Sequence, residues 1–207
     1  ARYRQLQGYF RQVDTVYPCS IVLRLDLGYR TIQGFNGTLE AMCAQVQSDG
    51  EEWLAQVRKS LGPALVGEAL KVDFAEGGRY KVHSALILQG PDRSEIPQIV
   101  DMSREAWARI TSGRGYCFDC NGVASPFLYR GMSQGAIMTA SVREELHGCA
   151  VFMARTDHTV RLEHGGKLQP IAVGAMPARP RVTRNGTRPQ NGIAIDPLAG
   201  SGGGLSV

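Results

Sequence analysis

The side chains best suited to chemistry are four histidines and one Cys-x-x-Cys pair. His83 stands apart by its surroundings. It lies in the run Tyr80–Leu88, the most apolar strand-like stretch, just after the glycine pair Gly77-Gly78. Side chains on a strand repeat every two residues, so Lys81 and His83 share one sheet face. An imidazole there can carry a proton or ligate a metal, and a lysine ammonium can hold a phosphate. His147, His158 and His164 stand alone, and a lone histidine is ordinarily a satisfied structural group. Cys117-Phe-Asp-Cys120 has no second pair, so a zinc site would need Cys149, His147 or His158 as well. Buried structural cysteines are the simpler reading. With Cys19 and Cys43 the thiols number five, an odd count that fits reduced cysteines in a cytosolic compartment. No P-loop, dinucleotide fingerprint or serine elbow is present.

The elements that must position these groups follow from periodicity. Tyr3, Leu6, Tyr9, Phe10 and Val13 recur at helical spacing and predict a short basic amphipathic helix, stopped by Pro18. Ser20–Leu27 alternates Ile21, Leu23, Leu25 and Leu27 with other residues and predicts a strand. Thr38 opens a helix past Met42 and Val46. Ser48-Asp-Gly50 is expected to interrupt it, with a second helix from Glu51 to Leu61 ended by Gly62-Pro63. Strands around Ala69–Phe74 and Tyr80–Leu88 flank Gly77-Gly78 as an antiparallel hairpin. A helix from Pro97 to Gly113 and a short strand at Tyr116–Cys120 come next. Ser141 and Glu144 have capping-box spacing and predict a helix through Phe152 to about Arg155. Strands and helices mixed in this way predict an α+β domain, with helices packed on a central antiparallel sheet.

Charge divides the chain. Its 207 residues carry +4, with 19 arginines against 4 lysines. Residues 1–11 hold +3, residues 174–207 hold +3, and the body between them −2. The final 34 residues contain seven glycines and four prolines with few large apolar groups, so they predict a flexible basic arm. The expected organisation is a basic helical segment at 1–17, an α+β domain at 18–173 and the arm at 174–207. No apolar run nears the ~20 residues a membrane span needs, and no leader pattern opens the sequence. A cytoplasmic protein without a membrane partner is expected, and the basic ends raise the prospect of nucleic acid.

Five segments extend this reading: SIVLRLDLGY at 20–29, GGRYKVHSALILQG at 77–90, GRGYCFDCN at 113–121, YRGMSQGAIM at 129–138 and AVFMARTD at 150–157. In order and spacing they resemble the inovirus replication-initiator-like family, also known through the YagK/YfjJ C-terminal domain, over residues 18–180. That family resembles rolling-circle initiators of the HUH endonuclease type. The resemblance implies an antiparallel sheet carrying helices, with the active site on one sheet face. It further implies two histidines on a strand holding a divalent metal, and a helical tyrosine that attacks a DNA phosphate.

Here the corresponding positions read Lys81-Val-His83 and Phe152-Met-Ala-Arg155. A lysine replaces one metal ligand, and phenylalanine has no oxygen with which to attack. Arg155 retains a positive charge that suits a phosphate. The expectation is a catalytically degenerate, DNA-binding, initiator-like protein of a bacterial phage, plasmid or integrative element, acting as a regulator or accessory factor. Arg24, Arg79, Lys81, His83, Arg155, Arg179, Arg181 and Arg184 are its candidate contacts to single-stranded or hairpin DNA. No cofactor is expected. Two alternatives stand beside it. One is an active endonuclease using Mg²⁺ or Mn²⁺ and another tyrosine, Tyr80, Tyr116 or Tyr129. The other is a regulator that binds a host or element protein through the same scaffold.

Overall fold

The structure is a computed structural model that describes residues 2–17, 20–30, 38–75, 79–91, 93–121, 149–151, 153 and 171–175. Helix α1 (Arg2–Val16) turns Leu6, Tyr9, Phe10 and Val13 to one side, as its apolar spacing requires. Strand β1 (Ile21–Tyr29) is buried along almost its whole length. Helix α2 (Leu39–Leu61) starts at Thr38, whose hydroxyl accepts the Ala41 N–H at 3.3 Å. It ends at Gly62, which takes a φ of 50°. Strands β2 (Leu65–Ala75) and β3 (Arg79–Leu88) form the hairpin, and helix α3 (Ile96–Ile110) follows. Ser112 and Gly113, both with positive φ, turn the chain into β4 (Gly115–Asp119).

The element order from β1 to β4 is β-α-β-β-α-β, and the strands lie in the order β4-β1-β3-β2-β5, all neighbours antiparallel. This is a split β-α-β arrangement of the ferredoxin-like kind. Helices α2 and α3 cover one face. There Leu23, Leu25, Leu27, Val82, Leu86 and Leu88 meet Trp53, Leu54, Val57, Ile99 and Trp107. Trp53 Nε1 donates to the Ser103 carbonyl at 3.1 Å and ties the two helices together. Trp107 Nε1 donates to the Gly28 carbonyl at 3.0 Å and ties α3 to the sheet. The opposite face carries α1 at one end, over Val22, Ala85, Ile87, Val66 and Ala69. Cys149, Ala150 and Met153, on helical residues, join that second cluster.

One expectation changes, and two features are added to the sequence reading. Ser48-Asp-Gly50 does not interrupt α2, because the buried stripe of Val46, Asp49, Gly50 and Trp53 stays in helical phase. Asp49 is held there by the Tyr29 hydroxyl and the Gln45 amide, each at 2.6 Å, and Gly50 rests on Val82. The segment 1–17 is part of the same packed body, with Leu6, Phe10 and Val13 buried and the Tyr9 hydroxyl accepting the Glu68 N–H at 3.0 Å. A fifth strand that periodicity did not reveal, β5 (Ile171–Val173), pairs with β2 just before the expected arm. Its extension continues to Gly174, whose N–H donates to the Glu68 carbonyl at 2.9 Å. Among the described residues no helix is long and apolar enough to cross a membrane.

Candidate functional site

Three adjacent strands each place two polar residues, two positions apart, on the α1 side of the sheet. They are Arg24 and Asp26 on β1, Lys81 and His83 on β3, and Lys71 and Asp73 on β2. The register sets Asp26 opposite His83 and His83 opposite Lys71. One step along, Gly28 faces Lys81 and Lys81 faces Asp73. The shared face of Lys81 and His83 is therefore present, and it is a charged one.

The groups are connected. His83 Nδ1 lies 2.7 Å from Asp26 Oδ1, and His83 Nε2 lies 3.5 Å from Asp73 Oδ2. Lys71 Nζ donates to Asp73 Oδ2 at 2.9 Å, and Arg24 Nη2 lies 3.7 Å from Asp26 Oδ1. All of this happens away from water: Arg24, Asp26, Lys71 and His83 are only 1%, 3%, 4% and 6% exposed. Burial opposes the imidazolium, but the Asp26 and Asp73 carboxylates outweigh it and raise the His83 pKa. Burial likewise opposes the Asp26 carboxylate, and its bond to His83 and the charge of Arg24 more than compensate, so its pKa falls. These contacts link Arg24, Asp26, His83, Asp73 and Lys71 in one buried chain of ion pairs.

Asn121 closes the β1 end. Its amide donates to the Arg24 carbonyl at 3.0 Å, and its carbonyl accepts the Arg24 N–H at 3.2 Å. Cys149, Ala150 and Met153 lie on this side of the sheet, in the cluster that includes Val22 and Ala85.

This arrangement does not fit a resident divalent metal. A metal needs a ring nitrogen of its own, and both His83 nitrogens already face a carboxylate, Asp26 Oδ1 at 2.7 Å and Asp73 Oδ2 at 3.5 Å. Lysine ammoniums, Lys71 on Asp73 and Lys81 beside it, stand where a cation would be repelled. Among the described residues no group of His, Cys, Asp and Glu side chains is spaced to hold a metal ion. The Cys-x-x-Cys pair splits across the sheet. Cys117 packs under α3 and Cys120 approaches Asp26 on the other side. Burial pushes the Cys117 thiol up to about 12 and the Cys149 thiol up to about 11, so neither is a ready thiolate.

The remaining candidates separate clearly. Arg24, expected as a phosphate contact, is corrected: at 1% exposure its guanidinium belongs to the buried Asp26 pair. His83 is likewise enclosed at 6% exposure and is an internal ion-pair partner, not a surface contact. Lys81 is partly exposed on the same face, and Arg79 lies two residues before it on β3. Phe152, Arg155, Arg179, Arg181 and Arg184 fall outside the residues whose side chains are described. Of the alternative tyrosines, Tyr80 is buried on the α2 side and raised to about 12, chiefly by burial. Tyr129 is outside the described residues, and Tyr116 lies on the charged face beside Gly28.

Sequence reasoning missed Asp26, Asp73 and Lys71. Their signal was legible as three i, i+2 polar pairs inside otherwise apolar strands: Arg-x-Asp, Lys-x-Asp and Lys-x-His. No protein-family model, curated protein or solved structure shows a match to this chain.

Proposed function

We propose that this chain is a catalytically degenerate, initiator-like DNA-binding protein of a bacterial mobile element, working as a regulator or accessory factor. The observation that carries the reading is the state of His83. It sits on a central strand, with both ring nitrogens facing the carboxylates of Asp26 and Asp73. An internal ion-pair chain thus occupies the place where metal chemistry would need a free imidazole. Lys81 keeps a positive group on that face, suited to a phosphate backbone.

The test combines binding with cleavage. A labelled single strand and a labelled hairpin are titrated with the intact chain at 50 and 200 mM salt. At about 0.7 of slope per phosphate contact, three contacts would give a single-strand salt slope near −2, a fall in affinity of roughly 15- to 20-fold over that range. Incubation with Mg²⁺ or Mn²⁺ and single-stranded DNA should leave the strand whole and no protein attached to it. A covalent adduct lost on changing one tyrosine to phenylalanine would establish the endonuclease instead. Absence of DNA binding, with a salt-insensitive complex formed with another protein, would favour the protein-binding regulator.

A further inference from the structure

The sheet ends on two unlike edges, β5 and β4. Strand β5 is three residues long and follows Pro170, so it offers little backbone to a further strand. Strand β4, Gly115–Asp119, has no proline, no lysine and an unbroken register with β1, and among the described residues no strand lies beyond it. Its pairing with β1 fixes which backbone groups face outward. The Cys120 N–H donates to the Arg24 carbonyl at 3.1 Å, and the Arg30 N–H donates to the Arg114 carbonyl at 2.8 Å. Inward and outward residues alternate along an antiparallel pair, so Tyr116 and Phe118 also turn their backbone groups to β1. Gly115, Cys117 and Asp119 point theirs away. The Gly115 N–H is taken by the Thr111 hydroxyl at 2.8 Å, which leaves Cys117 and Asp119 as the donors of the outward edge.

We propose that β4 is the docking edge for a second copy of this chain, the two β4 strands running antiparallel about a two-fold axis at Phe118. The register is self-complementary, which is what selects a second copy as the occupant. Cys117 of each chain falls opposite Asp119 of the other, and each such pair exchanges N–H and C=O both ways. The symmetry then gives every contact twice. None of these bonds calls on the Gly115 N–H that Thr111 already holds. Phe118 meets its own copy at a non-hydrogen-bonded position, where paired Cα atoms stand about 4.5 Å apart. Among the described residues it is the one large hydrophobic side chain left exposed, at 39%, and the dimer covers that exposed part without disturbing contacts inside the chain. Charge permits the approach. Helix α3 packs on β4, and its exposed charged residues are Asp101, Arg104, Glu105 and Arg109, two acids against two bases. Two such surfaces brought side by side carry no net repulsion.

The dimer is independent of the DNA-binding reading, and its experiment contains no nucleic acid. An edge contact of this length is small for a specific interface, so the dimer is weak, about micromolar or weaker. Sedimentation velocity of the intact chain from about 1 μM to about 1 mM should show monomer passing into dimer, with a midpoint that barely moves with salt. Phe118→Lys sets two ammoniums facing each other at the axis and should raise the dissociation constant at least about tenfold. Phe118→Cys brings two thiols within disulfide reach across the axis. Under oxidised glutathione it should give a covalent dimer whose yield rises with protein concentration. The original chain, in which Cys43, Cys117, Cys120 and Cys149 are buried, should give none under the same conditions. A chain that stays monomeric at every concentration would overturn the proposal. Slow hydrogen exchange at Cys117 and Asp119 in that monomer would assign the edge to another segment of the same chain. A dimer untouched by Phe118→Lys and not captured by Phe118→Cys would overturn it equally. Should Phe118→Lys fail to fold, capture of Phe118→Cys decides the question by itself.

Discussion

On the face under α2 and α3, β1 presents Leu23, Leu25 and Leu27; on the other face the same strand presents Arg24, Asp26 and Gly28. Both faces are buried along most of β1, but by different physics. Each large aliphatic side chain removed from water on the first face contributes about 1.5–3 kcal/mol. On the second face, desolvating the ionised chain costs about as much as its mutual attraction returns, so its net contribution is near zero. One face supplies the stability of the fold. The other takes little part in that stability but is exacting about partners, since every charge there is costly without its neighbour.

The comparison is broken most strongly on the apolar face. Trp107→Ala removes a fully buried indole and its bond to the Gly28 carbonyl, and should cost about 3–5 kcal/mol in denaturant melts. A loss under 1 kcal/mol would mean that α3 does not anchor the sheet.

Asp26→Ala should come next, at about 3–4 kcal/mol, because it strands Arg24 and His83 as buried cations. The contrast with Trp107 lies in the rescue. Replacing Arg24, Asp26, His83, Asp73 and Lys71 together by apolar residues of similar volume should recover most of that loss. The same pair sets a pH window. His83 has a raised pKa in the fold, so its stabilisation is complete below about 6.5, its unfolded value, and fades as pH climbs through the folded one. Asp26 has a lowered pKa, so its share is complete above about 3.9 and fades as pH falls further. Melts across pH should therefore show greatest stability between those limits, and the Asp26→Ala chain should lose most of the acid limb.

The smallest expected effect is at the seam between the buried chain and β4. Gly28→Ala places a methyl against the Tyr116 ring and should cost about 1–3 kcal/mol. Denaturant melts check this, and an unchanged stability would show that the ring moves aside without cost.

Much of the fold was legible because local rules and packing agree. Alternation marked β1, the glycine pair marked the β2–β3 hairpin, and Thr38 and Gly62 bounded α2 by cap chemistry. The misreading at Ser48-Asp-Gly50 has a tertiary cause. Breaker residues predict a break, but the Asp49 carboxylate is taken up by Tyr29 from another element, and Gly50 fits against Val82. Strand β5 is three residues long and takes its form from the open edge of β2, so it had no period of its own to display. The site was half legible. Lys81 and His83 share a face by the two-residue repeat alone, a consequence of strand geometry that needs no partner.

Sequence by itself determined the polar pairs within each strand, the helical stripes and the excess of arginine, because all of these follow from local periodicity and composition. Tertiary structure decided what the pairs do. Antiparallel register brings Asp26, from a strand 57 residues away, and Asp73, from across the adjoining hairpin, to the two nitrogens of His83. Burial then turns Arg24 from a surface cation into an internal partner. Those outcomes depend on distance and dielectric, and neither is written in the spacing of residues along one chain.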